Sequence, residues 1–238
     1  MSKPARRTPV PLEIALCQDN EAGYISYVQD TVNQSRADER GVSLADYIHA
    51  AFSLLLQSGA RRVLMIGCGG GTLATMLHAK GVKVTMLDIN EQSFVIARRH
   101  FNLPRGVTCR VADGLAFLGE SKTCYDAIVL DAYDGNKIPR QFLTQRFAKL
   151  VRAHLADDGV FVVNVIAAKL RDPLVRRVAT LLETTWDNVR VLGSREGGSH
   201  NALVMAGAVA NLKRPKLIMP PRVGRGELLD ALKEMDFR

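Results

Sequence analysis

The sequence is poor in the features that mark several large classes of protein. Its four cysteines show no Cys-x-x-Cys spacing and none of its five histidines has metal-ligand spacing, which argues against a metal site or a disulfide framework. No apolar run approaches the roughly 20 residues of a membrane span, and residues 1–7 lack the apolar core of a signal peptide. We therefore expect a cytoplasmic protein with reduced cysteines, no metal and no membrane partner.

Aromatic residues are also scarce, at 6% of the chain, although the net charge is +8. The cations are scattered over several segments, and few aromatic side chains are available to stack on bases. This combination argues against nucleic acid as a partner. We attribute the positive charge to solubility and to attraction of anions.

What remains is the composition of an ordinary globular protein, with 47% hydrophobic and 24% charged residues. Short apolar strands alternate with helical patterns, which predicts an α/β fold with a mainly parallel sheet covered on both faces. Beyond the first two strands, the pattern predicts strands at residues 107–113, 125–131, 159–166, 189–192 and 201–208, and helices at residues 92–100 and 141–154. The last two strands are predicted to form an antiparallel hairpin.

The chain divides into three segments by pattern. Residues 1–45 are predicted to form a small β-hairpin lid, and residues 46–211 a Rossmann-like catalytic domain. Residues 212–238 contain three prolines followed by an amphipathic stretch, which predicts a linker and a terminal helix.

The most informative motif is the glycine turn Gly67-x-Gly69-x-Gly71, which lies between an apolar strand and a helix. Glycines let backbone N–H groups approach a ligand closely. Asp88 follows after a spacing that places a carboxylate at the end of the neighbouring strand, where it can bind both ribose hydroxyls of an adenosine. Ile89 is assigned to the same cofactor site. A dinucleotide site would need glycine at Thr72, whereas the observed pattern resembles S-adenosylmethionine sites.

Three further acids follow predicted strands, at the sheet edge where ligands bind in this fold class. Asp113, followed by Gly114, is positioned to accept a hydrogen bond from an adenine amino group, with a solvated loop acid as the alternative. Asp131 and Asp134 follow the next strand. An alkylammonium must be held and deprotonated before it can act as a nucleophile, which is the task assigned to Asp131. The alternative is that Asp131 caps the following turn.

These motifs resemble those of the polyamine aminopropyltransferases, typified by spermidine synthase, over about residues 12–208. The family's glycine loop, ribose acid, adenine pair and Asp-Ser-Ser-Asp-Pro motif are similar to residues 67–71, Asp88, residues 113–114 and residues 131–134. Upstream, residues 30–34 with Asp38 and Glu39 resemble an Asp-Gly-x-x-Gln stretch that leads to Asp-Glu. The resemblance implies that Gln34 contacts the cofactor, and that the protein is a homodimer with a class I S-adenosylmethionine-dependent methyltransferase fold of seven strands, the last antiparallel.

The departures from the family pattern concern the substrates. In the family that the sequence resembles, the glycine loop carries an aspartate that binds the free amine of decarboxylated S-adenosylmethionine. In this sequence the corresponding position is Gly70. The absence of the aspartate should weaken that binding by roughly tenfold or more, because a charge-assisted hydrogen bond contributes roughly 1.5 to 3 kcal/mol. The family's Tyr-His-Glu segment has become Tyr47-Ile48-His49, and Gly135 replaces a proline.

Three functions therefore remain open at this point. The first is transfer of an aminopropyl group to a small-molecule amine, with catalysis by Asp131 and Asp134. The second is methyl transfer from S-adenosylmethionine to another acceptor, since both reactions are in-line displacements at a carbon beside a sulfonium. The third is nucleoside binding without catalysis. The expected co-substrate is S-adenosylmethionine or its decarboxylated form, bound by Gln34, Gly67, Gly69, Gly71, Asp88, Ile89, Asp113, Gly114 and Asp131.

Overall fold

The computed structural model describes residues 14–19, 23–29, 32–167, 172–194 and 201–238. Its first three strands, β1 (Ile14–Asp19), β2 (Tyr24–Gln29) and β3 (Val32–Asp38), form a separate antiparallel sheet in the order β1-β2-β3. The predicted hairpin thus has a third strand. The sequence did not indicate it because β3 is mostly polar and has few of the β-branched and aromatic residues that are enriched in strands.

Helices and strands then alternate along the chain, as the pattern predicted. In order they are α1 (Asp46–Gln57), β4 (Arg62–Ile66), α2 (Thr72–His78), β5 (Lys83–Asp88), α3 (Glu91–His100), β6 (Thr108–Val111), α4 (Gly114–Glu120), β7 (Tyr125–Leu130), α5 (Gln145–Ala153), β8 (Leu155–Ile166), α6 (Pro173–Glu183), β9 (Val189–Ser194), β10 (Asn201–Gly207), α7 (Arg225–Glu234) and β11 (Met235–Phe237). In the described part of the chain, no helix is long and apolar enough to cross a bilayer.

The main sheet has the strand order β11-β9-β10-β8-β7-β4-β5-β6. Strands β4 to β8 pair in parallel, and β9, β10 and β11 add an antiparallel end. The predicted α/β class I methyltransferase-like fold is confirmed. The strand count differs, because the segment predicted as a linker and helix also contributes β11. Three residues are too few to show strand periodicity, and β11 is held by its pairing with β9 and by Phe237, whose ring lies 3.6 Å from the Arg190 guanidinium.

Helix α5 starts later than the pattern predicted, at Gln145 rather than Gln141. The Thr144 side chain caps the helix by accepting a hydrogen bond from the Phe147 N–H at 3.2 Å. Residues 140–142 form a short 3-10 turn instead. The capping residue thus determines where the helix begins.

The core lies on both faces of the sheet. Along β4, Val63 and Met65 pack into the layer that contains α1, α2 and α3, while Leu64 and Ile66 pack into the layer that contains α4, α5 and α6. Parallel strands run in the same direction, so they end at the same edge of the sheet. The segments that follow β4, β5 and β7 therefore meet at that edge. That edge carries the predicted site.

Candidate active site

The glycine turn brings the end of β4 into direct contact with the end of β7. Gly67 has a φ of 102°, and a Cβ at this position would lie 2.1 Å from the backbone oxygen of Asp131. No side chain fits in that space, so glycine is required for the two strand ends to come this close. The two most important motifs of the sequence are therefore adjacent in space.

Asp88 ends β5 beside this turn. One carboxylate oxygen accepts a hydrogen bond from the Cys68 N–H at 3.0 Å, and the other accepts one from the Asn90 N–H at 2.8 Å. Burial raises the pKa of Asp88 above its ordinary value, although these bonds and one from Ser93 oppose the rise. Ile89, directly after it, is 77% exposed and offers an apolar surface at the same edge.

Asp113 stabilises the start of helix α4. It is the N-cap of α4, where Oδ1 accepts a hydrogen bond from the Ala116 N–H at 3.0 Å and Oδ2 accepts one from Gln141 at 2.7 Å. Gly114 permits close packing, because a Cβ there would lie 2.6 Å from the Ile66 side chain. Contact of Asp113 and Gly114 with an adenine stays a prediction. Gln34 lies within β3, but its side chain is outside the described residues.

Asp131 is held by residues from two distant elements. Its Oδ1 accepts a hydrogen bond from Asn164 Nδ2 at 2.7 Å, and its Oδ2 lies 3.4 Å from the hydroxyl of Tyr47. Burial raises the pKa of the Asp131 carboxyl, and the bonds from Asn164 and Tyr47 oppose the rise. A carboxyl with a raised pKa is better matched to accepting protons near neutral pH.

The predicted partner acid, Asp134, lies elsewhere. It is exposed, and its backbone forms a tight bridge with Lys137 through bonds of 2.9 and 3.1 Å. Asp134 is not among the described residues that line the cavity beside Asp131, although Gly135 and Asn136 are. The structure does not bring the two acids of the motif together in one cavity, and a catalytic task for Asp134 stays a prediction.

A cavity of about 250 Å³ opens beside Asp131, between the main sheet and the N-terminal sheet. Within the described part of the chain, Asp131 is the only acid on its lining, and no lysine or arginine lines it. The polar side chains on the lining are Ser35, Tyr47, Cys68, Thr72, Asp131, Tyr133, Asn136, Asn164 and Asn201. The described lining thus forms a mostly neutral pocket with one half-buried carboxyl.

Tyr133 lines this pocket with its hydroxyl already engaged. The hydroxyl donates to the backbone oxygen of Asn164 at 2.7 Å and accepts a hydrogen bond from the Ile166 N–H at 2.9 Å. Burial and the neighbouring Asp131 carboxyl raise the pKa of Tyr133 far above its ordinary value. Tyr133 is therefore a wall of the pocket and is not placed to donate or accept a proton during a reaction.

Gly70, where the family resemblance implies an aspartate, has no room for a side chain. A Cβ at this position would lie 2.8 Å from both Ser35 Cβ and Phe101 Cδ1. In addition, the Gly70 N–H donates to Ser35 Oγ at 2.8 Å. Ser35 of the N-terminal sheet therefore packs against the glycine turn and accepts a hydrogen bond from its backbone.

Sequence reasoning missed Ser35, Asn164 and Asn201 as pocket residues. Asn164 gives one local signal, because it is a polar residue inside the apolar run of β8 and is 3% exposed. Ser35 and Asn201 give none. Among the described residues, no group of three or more His, Cys, Asp or Glu is arranged to hold a metal ion.

The strand order and the position of this pocket at the sheet edge define a class I methyltransferase-like fold. The model of the methyltransferase domain family matches residues 63–159. A probable spermidine synthase structure from Corynebacterium glutamicum superposes with a TM-score of 0.72, at 17% identity, over 97% of this chain and 91% of that one.

The sequence is similar to polyamine aminopropyltransferases, as its motifs predicted. It is 32% identical over 129 residues to a probable polyamine aminopropyl transferase of Bifidobacterium longum, covering 53% of this chain and 29% of that protein. It is 29% identical over 160 residues to the polyamine aminopropyltransferase of Neisseria meningitidis serogroup A, covering 64% of this chain and 61% of that protein. Both alignments span less than two thirds of the relative.

Proposed function

We propose that this chain transfers an aminopropyl group from a decarboxylated S-adenosylmethionine type of nucleoside to a small-molecule amine. The observation that carries the proposal is the half-buried Asp131 carboxyl at the wall of a pocket that adjoins the glycine turn. The similarity to polyamine aminopropyltransferases supports the same reaction.

The nucleoside is assigned to the glycine-turn side of the pocket. Gly67 has no side chain, so the backbone of the turn is uncovered at this position. Asp88 offers the carboxylate for two ribose hydroxyls. Ile89 would cover one face of the base, with Asp113, Gly114 and Gln34 as further predicted contacts. When bound, such a nucleoside supplies a carbon made electrophilic by the neighbouring sulfonium.

Asp131 is assigned to the amine. Its carboxylate would hold the ammonium form, accept its proton and leave the nitrogen lone pair free to attack the electrophilic carbon in line with the C–S bond. As the C–N bond forms, the C–S bond breaks and its electron pair returns to sulfur as a thioether. Tyr47, whose hydroxyl faces Asp131 Oδ2, would stabilise the ionised carboxylate between turnovers.

Methyl transfer from intact S-adenosylmethionine is the second candidate, and Gly70 favours it. The space beside Gly70 is filled by Ser35 and Phe101, so no acid at this position binds the amine of a decarboxylated nucleoside or repels the carboxylate of an intact one. The match to the methyltransferase domain family points the same way.

Calorimetric titration of the full chain with each nucleoside in turn tests the two candidates. Tighter binding of the decarboxylated form supports aminopropyl transfer, and tighter binding of S-adenosylmethionine supports methyl transfer. The D88N variant is the matched control, since it should weaken both nucleosides alike. If neither binds, both transferase functions are wrong and the remaining candidate is a domain without this chemistry. Cytoplasmic location and a homodimer stay predictions.

A further inference from the structure

The Asp131 carboxyl is the end of a line of two amide side chains. Asn164 Nδ2 donates to Asp131 Oδ1 at 2.7 Å, and Asn201 Nδ2 donates to Asn164 Oδ1 at 2.9 Å. Asn201 is the first residue of β10 and pairs with Ile166 of β8. Its side chain is therefore the diagonal neighbour of Asn164 on the same face of the sheet.

The orientation of the two amide groups follows from the charge of the Asp131 carboxylate. An ionised carboxylate only accepts hydrogen bonds, so Asn164 must turn its NH₂ group toward Asp131. The oxygen of the Asn164 amide then faces Asn201, which must present a donor. Without a donor at position 201, the Asn164 amide loses the contact that favours this orientation over the reversed one.

We propose that Asn201 is a positioning residue that acts through Asn164. It holds the Asn164 amide in the orientation that donates to Asp131 Oδ1, and it thereby leaves Asp131 Oδ2 as the oxygen that accepts the substrate proton. The geometry of Oδ2 fits this task, because its contact with the Tyr47 hydroxyl is 3.4 Å, longer than an ordinary O–H···O bond. Only the identity of the proton's source rests on the proposed function.

Among the described residues, the other titratable side chains that line this pocket are neutral near physiological pH. They are Tyr47 from α1, Tyr133 from the segment after β7, and Cys68 from the glycine turn. Burial raises the pKa values of all three. Among the described residues of the lining, Asp131 is therefore the carboxyl on which a change at position 201 acts.

The test is to measure the pKa of Asp131 in the full chain without nucleoside, by carbon NMR of its carboxyl group, assigned by its loss in D131N. In N201D the new carboxylate can only accept, so Asn164 turns its NH₂ group toward position 201 and its oxygen toward Asp131. We expect the Asp131 pKa to rise by about one or more. The matched control is N188D, the same change at an exposed asparagine beyond the far end of β10. An N201D shift no larger than that of N188D overturns the proposal.

Repeating N201D in an N164L background separates the relay from direct charge repulsion. If Asn164 transmits the effect, the rise in pKa falls by half or more, and an undiminished rise overturns the proposal. Should N201D fail to give a cooperative thermal transition, N201L replaces it. We expect a smaller rise for N201L, since a donor is lost without adding charge, and no rise contradicts the proposal. These measurements need no turnover, so they remain decisive even if no transferase activity is found.

Discussion

The two sides of the pocket are built in different ways. The glycine-turn side comes from short segments at the ends of β4 and β5, and its hydrogen bonds, such as those from the Cys68 and Asn90 N–H groups to Asp88, are made largely by backbone. The Asp131 side is assembled from side chains on α1, β8 and β10. The first side depends on chain geometry, whereas the second depends on a few replaceable side chains.

The largest effect should come from removing the charge on the Asp131 side. D131N keeps the shape and permits both hydrogen bonds of Asp131, since its oxygen accepts from Asn164 and its NH₂ group donates to Tyr47. We expect the transfer rate to fall by about 10² to 10⁴, the usual contribution of a general base, with nucleoside affinity nearly unchanged. Single-turnover kinetics and calorimetry measure the two quantities.

D131N should at the same time leave the fold as stable or make it more stable. The pKa of Asp131 is raised in the folded state, so the stability that its protonated form supplies is lost as pH rises through that pKa. The neutral amide avoids this loss at pH 7. A D131N variant that unfolds more easily would identify Asp131 as a structural acid, and one with an unchanged transfer rate would mean that Asp131 is not the general base.

Changing Asp88 should impair the glycine-turn side of the pocket. D88N replaces the ribose acid and should weaken the binding of either nucleoside by about 10-fold to 100-fold, the equivalent of roughly 1.5 to 3 kcal/mol. D126N is the matched control at the opposite sheet edge, where the Asp126 side chain, like that of Asp88, accepts hydrogen bonds from two backbone N–H groups. Equal losses in the two variants would contradict a special role for Asp88. Calorimetry of the purified variants decides the question.

The two sides also differ in how far the sequence predicted them. A strand, a glycine turn and an acid at the next strand end follow one another within residues 62–88, so local pattern was enough to predict that Gly67 and Asp88 lie at the same sheet edge. The partners of Asp131 lie far along the chain, with Tyr47 84 residues before it and Asn164 33 residues after it.

Register explains most of what the sequence could not predict. Asn164 and Asn201 face each other only because β8 and β10 pair with Asn201 opposite Ile166, and a shift of one residue would send Asn201 to the other face. No local pattern contains that information. Asp134 shows the converse, since a motif placed it beside Asp131 in the chain while the turn keeps it exposed and bridged to Lys137.

A methyl group at Gly70 should disturb only the contact between the glycine turn and the N-terminal sheet, and so tests the glycine-turn side of the pocket separately from the Asp131 side. In G70A the new Cβ meets Ser35 Cβ and Phe101, neither of which is a flexible end, so we expect a loss of about 1 to 3 kcal/mol of unfolding free energy. G226A is the control, because that helical glycine has open space and alanine should add up to about 1 kcal/mol. Urea denaturation measures both. Equal stability of G70A and the unchanged chain would mean that Ser35 does not rest on the turn.

The smallest effect concerns α1, the helix that carries Tyr47 to the Asp131 side. His49 is fully buried in α1, with Nε2 2.7 Å from the Ser43 backbone oxygen, and Nδ1 has no partner among the described residues. Burial lowers the pKa of His49 below its ordinary value of 6.5, so the unfolded chain binds the proton first. Stability should therefore fall as pH drops below about 6.5 toward the lower folded-state pKa.

Exchanging His49 for glutamine removes this titration, so the loss of unfolding free energy between pH 7.5 and pH 5.5 should be about 1 kcal/mol smaller in H49Q than in the unchanged chain. The buried Asp38 also has a lowered pKa, because its bonds from Arg40, Arg222 and Val42 outweigh the effect of burial, but its contribution is lost only below its ordinary value of 3.8. Asp88 and Asp131 act in the opposite direction, since their raised pKa values favour the folded state as pH falls. They do so in both proteins, so the difference between the two denaturation series reports His49, and parallel pH curves would mean that α1 is not weakened by acid through this residue.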